Sequence, residues 1–293
     1  MIQAGQRFQR IRRRHKLLGM LRLFRLPNLL MIFLGQLLVV WRYSDQSIPE
    51  LLMMQPGLLA ALFATQASAA GGYIVNDYHD VKIDSVNKPG RVVVGRLVTR
   101  RKALLSYFLL SGFALAAAVL AGKKAALLIS LCCFLLWMYS ARMKCMPLAG
   151  NFLVAGLVAV SLYLPVLFLP AAGAEVLLLP AFAFILNLVR EMVKDMEDLR
   201  GDRQLGCQTF PVKFGIPAGR RFLWFCGGFL LLLYLPAFAV AGPAGRLLLL
   251  LSAVLCGIFY FRLQKADKKK DFTGLSRLLK MAMLAGMAGF AGW

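Results

Sequence analysis

Nine apolar segments almost free of charge divide this 293-residue chain, at roughly 24–41, 53–75, 103–121, 125–140, 148–169, 176–193, 222–240, 246–262 and 275–293. Each approaches the ~20 residues that a helix needs to cross the hydrocarbon core of a bilayer. Inside lipid every backbone N–H and C=O must be satisfied within its own segment, so such spans are helices. The chain is 60% hydrophobic, well above the roughly 45–50% of a soluble domain. The expected fold is an all-α integral membrane protein of nine transmembrane helices, forming a single domain over residues 1–293. Residues 1–23 are basic, with Ile2, Phe8, Ile11, Leu17 and Leu21 on a helical rhythm. They read as an amphipathic helix on the membrane surface. The Arg7–Lys16 stretch enters a span with no small-residue cleavage site, so no cleavable signal is expected.

The net charge of +22 would suggest nucleic acid in a soluble protein, but the cations are sorted by topology. With the N-terminus inside, 31 of the 35 Lys and Arg fall on inner segments, and only Arg42, Lys123, Lys124 and Arg246 lie outside. That bias places the N-terminus on the cytoplasmic side of the cell membrane and directs the charge at anionic lipid headgroups; nucleic acid is not an expected partner. The six cysteines show neither metal-ligand spacing nor a disulfide framework, and they read as small buried hydrophobes.

Against this basic face stand two acidic clusters. Eight of the thirteen acidic residues sit in Asp77–Asp84 and Glu191–Asp202. Asp77, Asp80 and Asp84 are spaced three then four, as are Asp195, Asp198 and Asp202, which on a helix stacks three carboxylates along one stripe. Stacked like charges call for a cation, and carboxylate oxygens suit a hard ion such as Mg²⁺, which commonly bridges to substrate phosphates. Both clusters follow spans that end on the inner face, the second and the sixth. They occupy equivalent places if the chain is built as two pseudo-repeated four-helix halves. Lys88, Arg91, Lys144 and Lys194 lie close by, cations of the kind that neutralise phosphate oxygens.

Asn76-Asp77-x-x-Asp80-x-x-x-Asp84 and Asp198-x-x-x-Asp202, set among nine apolar segments, resemble the two signature loops of the UbiA-type intramembrane prenyltransferases. Arg25-Leu26-Pro27-Asn28, Asn87-Lys88-Pro89-Gly90-Arg91, Tyr139-Ser140 through Lys144, and Gly150-Asn151 are also similar to stretches of that family. The resemblance implies a helical ring around a central cavity with a cytoplasmic cap, and Mg²⁺-dependent transfer from a polyprenyl diphosphate donor. It implies that Asn76, Asp80 and Asp84 serve one ion and Asp198 and Asp202 the other, with Asp77 and Asp195 as ligands or their supports. Lys88, Arg91, Tyr139, Ser140, Lys144 and Lys194 would bind the diphosphate. Asp80, Asp84, Asp198, Asp202 and Lys144 would carry catalysis, and Arg25, Asn28 and Asn151 would meet the acceptor.

The second motif most resembles the branch acting on geranylgeranylglyceryl phosphate, a lipid-phosphate acceptor. Arg91-Val92-Val93-Val94-Gly95-Arg96 departs from that branch, and an aromatic acceptor of quinone biosynthesis is the alternative. A divalent-cation transporter would place ionisable groups at mid-membrane depth, where this chain has almost none. A soluble prenyl diphosphate synthase is excluded by hydrophobicity.

Overall fold

The structure is a computed structural model that describes residues 19, 21–44, 47–169 and 173–292. The expected surface helix over 1–23 lies almost wholly outside the described residues. The apolar segments become α1 (Leu26–Tyr43), α3 (Pro56–His79), α5 (Arg100–Ala121), α6 (Lys123–Ala141), α7 (Ala149–Tyr163), α8 (Leu178–Gln204), α9 (Phe210–Val240, broken at Gly215), α10 (Pro243–Leu263) and α11 (Lys269–Ala291). Two short helices, α2 (Ile48–Met54) and α4 (Val81–Asn87), complete the set. Among the described residues the regular structure is helical, apart from one isolated bridge between Val94 and Val98.

Local chemistry sets several boundaries. Proline occupies the first turn of α1, α3, α9 and α10, where its fixed φ suits a helix start and its missing N–H costs nothing. The Thr99 side chain accepts from the backbone N–H of Lys102 to cap α5, satisfying an otherwise orphaned donor.

Eight helices among the described residues are long and apolar enough to cross a membrane: α1, α3, α5, α6, α7 with its 3₁₀ extension to Phe168, α8 with its lead-in from Ala174, α9 and α10. Their outward faces are apolar, with Phe108, Leu120, Leu127, Leu231 and Leu247 all exposed. So much exposed hydrocarbon would be a liability in water, and it marks a multi-pass membrane protein. The ninth apolar segment forms the C-terminal part of α11, whose N-terminal half carries Lys269, Lys270, Arg277 and Lys280.

Two helices are central. About 67% of the α3 span and 56% of the α8 span are buried, against 22–33% for the other six. α3 packs on α5 and α6, while α8 packs on α7, α9 and α11. The small residues from Ala67 to Gly72 permit this: a Cβ on Gly72 would meet Leu136 of α6 at 2.8 Å. The likeness between the halves extends from α3 on α5 to α8 on α9. It stops at the fourth helix, because α6 packs on α3 whereas α10 packs chiefly on α11.

Candidate active site

The two acidic signatures lie on helix ends. Asn76 and Asp77 occupy the last turn of α3. Asp80 sits in the bend before α4, with φ −85° and ψ 0°. The Asp80 N–H still donates to the Asn76 carbonyl at 2.9 Å, and the Asp84 N–H to the Asp80 carbonyl at 2.8 Å. Helical spacing therefore survives the bend and keeps the three aspartates on one side. α8 runs without a break through Asp195, Asp198 and Asp202. The signature loops implied by the resemblance are thus helical, because each motif continues the hydrogen bonding of a span beyond its apolar part.

α4 folds from α3 onto α8 and brings the signatures together. Asp77, Asp80, Asp84, Asp195, Asp198 and Asp202 all line one outer cavity of about 850 Å³, together with Asn76, Lys88, Tyr139, Lys144 and Lys194. An inner cavity of about 200 Å³ has walls that include Met31, Ile32, Leu136, Val154, Val158, Leu162, Phe182 and Met287. Arg25, Asn28, Asn76, Tyr139, Arg190, Glu191, Lys194 and Lys280 line both cavities and form a collar between them. The site is therefore layered, from carboxylates through a polar collar of four cations, one acid and three neutral residues to an apolar floor.

The stacked carboxylates are held by partners from within the chain. Arg25 pairs with Asp77 at 2.5 Å, Lys88 with Asp198 at 2.5 Å, and Lys144 with Asp80. Asn151 donates to Asp195 at 2.7 Å, and Thr209 donates to Asp202 at 3.3 Å. Burial raises the Asp84 carboxyl above its usual range, and repulsion from Asp77 adds to this. Burial likewise pulls the Lys144 ammonium down to about 8, opposed by Asp202 and Asp77.

The donor set fits hard divalent cations. It is all oxygen, and the Oδ1 atoms of Asn76 and Asp198 are buried without a hydrogen-bond partner, which acceptors seldom tolerate. Among the described residues no three acidic, His or Cys side chains already converge in ligating geometry. Lys88 and Lys144 each pair with one oxygen of Asp198 and Asp80 and leave the other oxygen of each carboxylate outside the pair.

Other expected site residues are distributed unevenly. Asn28 lines both cavities. Ser140 is buried and donates to the Leu136 carbonyl at 3.0 Å, and Asn151 is turned to Asp195 rather than lining a cavity. Arg91 ends a 3₁₀ turn, Pro89–Arg91, and its side chain lies outside the described residues.

The structural roles of several residues of the site are not read from the sequence. Asn87 is buried and accepts from the Gly201 N–H at 3.1 Å, while its own carbonyl receives Lys269 at 2.5 Å. It ties α4 to α8 and α11. Cys145 and Cys207 form a disulfide across 62 residues, with Cα atoms 4.6 Å apart. This corrects the reading of all six cysteines as buried hydrophobes. The bond joins the turn carrying Lys144 to the chain leaving α8, two segments that meet only through tertiary packing. Gly150 lets that turn lie flat on α7, since a Cβ there would meet the Met143 carbonyl at 2.9 Å.

Comparison with known proteins gives a consistent result. Residues 28–284 match the model of the UbiA prenyltransferase family. The chain is 37% identical over 164 residues to digeranylgeranylglyceryl phosphate synthase of Methanopyrus kandleri, covering 54% of this chain and 58% of the relative. It is 34% identical over 160 residues to the enzyme of that name from Thermococcus gammatolerans, covering 54% and 57%. The chain thus spans little more than half the length of the curated relatives it matches. Two solved structures share the fold. One comes from work on digeranylgeranylglyceryl phosphate synthase in membranes, with TM-score 0.72, 23% identity and coverage of 94% of this chain and 97% of that one. The other is a UbiA homolog from Archaeoglobus fulgidus bound to GPP and Mg²⁺, with TM-score 0.67, 18% identity and coverage of 93% and 99%. With most of its length matched by the family model, the chain belongs to the UbiA prenyltransferase family.

Proposed function

We propose that this protein transfers a polyprenyl group, of geranylgeranyl type, from its diphosphate to geranylgeranylglyceryl phosphate or a closely similar lipid. The observation that carries the reading is the layered site, in which six aspartates from two helix ends line a cavity that passes through cations to an apolar floor. The names of the relatives support the lipid-phosphate acceptor over an aromatic one.

Asn76, Asp80 and Asp84 would hold one Mg²⁺ and Asp198 and Asp202 another, with Asp77 and Asp195 beside them. Bound there, the metal supplies Lewis-acid stabilisation of the departing diphosphate. Lys88 and Lys144 neutralise the remaining diphosphate charge, with Arg91 and Tyr139 as further diphosphate-binding residues. The allylic carbon–oxygen bond breaks and its electron pair leaves with the diphosphate. The apolar walls keep water from the cation left behind. The acceptor hydroxyl oxygen then forms the ether, and its proton passes to the released diphosphate. The prenyl chain lies along the inner cavity and the apolar pocket beside Leu128, Ile129 and Leu157.

In this reading residues 1–293 form one domain, α11 crosses the membrane as a ninth span, and the two halves descend from one repeat. The N-terminus and a cap built on α4 and the Pro89–Arg91 turn face the cytoplasm, where the cations concentrate. The test incubates purified protein and Mg²⁺ with labelled geranylgeranyl diphosphate, with geranylgeranylglyceryl phosphate and aromatic acids competing as acceptors. A Mg²⁺-dependent diether phosphate is expected. Prenylated aromatic acid as the main product, or no product with any acceptor, refutes the proposal.

A further inference from the structure

Resting on that reading, we infer that Arg190, Lys194 and Lys280 form a second anion site that selects the acceptor by its phosphate, separate from the diphosphate mouth. The collar between the cavities holds four cations but a single acid, Glu191. Arg25 is closed on Asp77. Arg190 and Lys194 share Glu191, at 3.3 Å and at 2.8 and 2.9 Å. Lys280 reaches the same collar from α11. Arg190 and Lys194 alone carry one more positive charge than Glu191 balances. A phosphomonoester carries about −1.5 to −2 near neutral pH, whereas an aromatic carboxylate carries only one negative charge. The Nε of Arg190 is buried with no acceptor, a donor that a phosphate oxygen would satisfy.

The position distinguishes these cations from the two lysines that pair with aspartates. Lys88 and Lys144 line only the outer cavity with the aspartates, while Arg190, Lys194 and Lys280 also line the inner one. A phosphate on the collar lies next to the apolar floor, so the acceptor's tail has hydrocarbon to enter alongside the donor's prenyl chain. Lys194 is thereby assigned to the acceptor, and α11 contributes to acceptor choice through Lys280.

The test measures equilibrium binding of labelled geranylgeranylglyceryl phosphate, and of its dephosphorylated alcohol, to the full chain in lipid nanodiscs without Mg²⁺. Donor and acceptor KM are then measured with Mg²⁺. Arg190→Gln and Lys280→Gln should each weaken phosphate binding by roughly tenfold or more, the worth of one hydrogen bond to a charged group. Binding of the alcohol and the donor KM should stay within about twofold of wild type, and Lys280→Arg should restore binding of the phosphate. Equal loss of phosphate and alcohol binding, or a donor KM that rises with the acceptor KM, would overturn the inference. If the wild type uses the phosphate and the variants bind it as well, this inference alone fails. A wild type that neither binds nor prenylates the phosphate sinks the proposed function as well.

Discussion

Gly201→Ala tests how the two acidic signatures are held together. Gly201 lies between Arg200 and Asp202 on α8, and a Cβ there would overlap three atoms of the Asn87 side-chain amide. Asn87 cannot step aside cheaply: it is buried, its Oδ1 accepts from the Gly201 N–H at 3.1 Å, and its carbonyl holds Lys269. Overpacking a tight contact costs about 1–3 kcal/mol, and losing the amide hydrogen bond costs about 1 kcal/mol. Alanine in a helix returns about 1 kcal/mol relative to glycine. The net destabilisation is therefore about 1–3 kcal/mol, with activity falling further because α4 and α8 no longer register. Asn87→Ala removes the obstacle, so the double variant should be less destabilised than the sum of the single variants, a sign of direct coupling. Thermal unfolding in detergent and Mg²⁺-dependent prenyl transfer are the assays. A Gly201→Ala protein with wild-type stability and turnover, or strict additivity in the double variant, would refute the reasoning.

Asp80→Ala and Asp198→Ala should each lower turnover by about a hundredfold or more, given the several kcal/mol that metal stabilisation contributes, and EDTA should abolish activity until Mg²⁺ is restored. Lys144→Met should raise the donor KM at least about tenfold, the cost of one charge-assisted hydrogen bond, while leaving acceptor binding unchanged; an unchanged donor KM would remove Lys144 from the diphosphate site. Cys145→Ser or reduction by dithiothreitol frees two segments 62 residues apart, with an expected loss of about 2–4 kcal/mol. Mass spectrometry of alkylated protein should find Cys145 and Cys207 unmodified before reduction and both alkylated after it.

The sequence was legible wherever the physics was local. A run of apolar residues long enough to span lipid must be helical, so all nine segments appear within helices, although α8 runs 11 residues past its expected end and α9 begins 12 residues before its expected start, where helical hydrogen bonding continues beyond the apolar run. Three-four spacing on a helix puts carboxylates on one stripe, so the members of each signature face a common cavity despite the bend at Asp80. Ser140 and Asn151 were harder to place, because a residue next to a motif can face either the cavity or its supporting helix. The rotation of α6 and α7 decides that, and it follows from packing rather than from periodicity.

The chain by itself determined its helical membrane-spanning class and the two carboxylate stripes that follow apolar segments. These follow from the cost of unsatisfied backbone in lipid and from the pitch of a helix. Only the tertiary structure decided that α4 folds onto α8, that Asn87 fills the space Gly201 leaves open, and that Cys145 meets Cys207. The gathering of Arg190, Glu191, Lys194 and Lys280 between the cavities belongs to the same class. These contacts join residues on separate helices, and no periodicity along a chain specifies which distant faces will close on one another. Packing of buried small residues and closure of α11 on α8 bring them together.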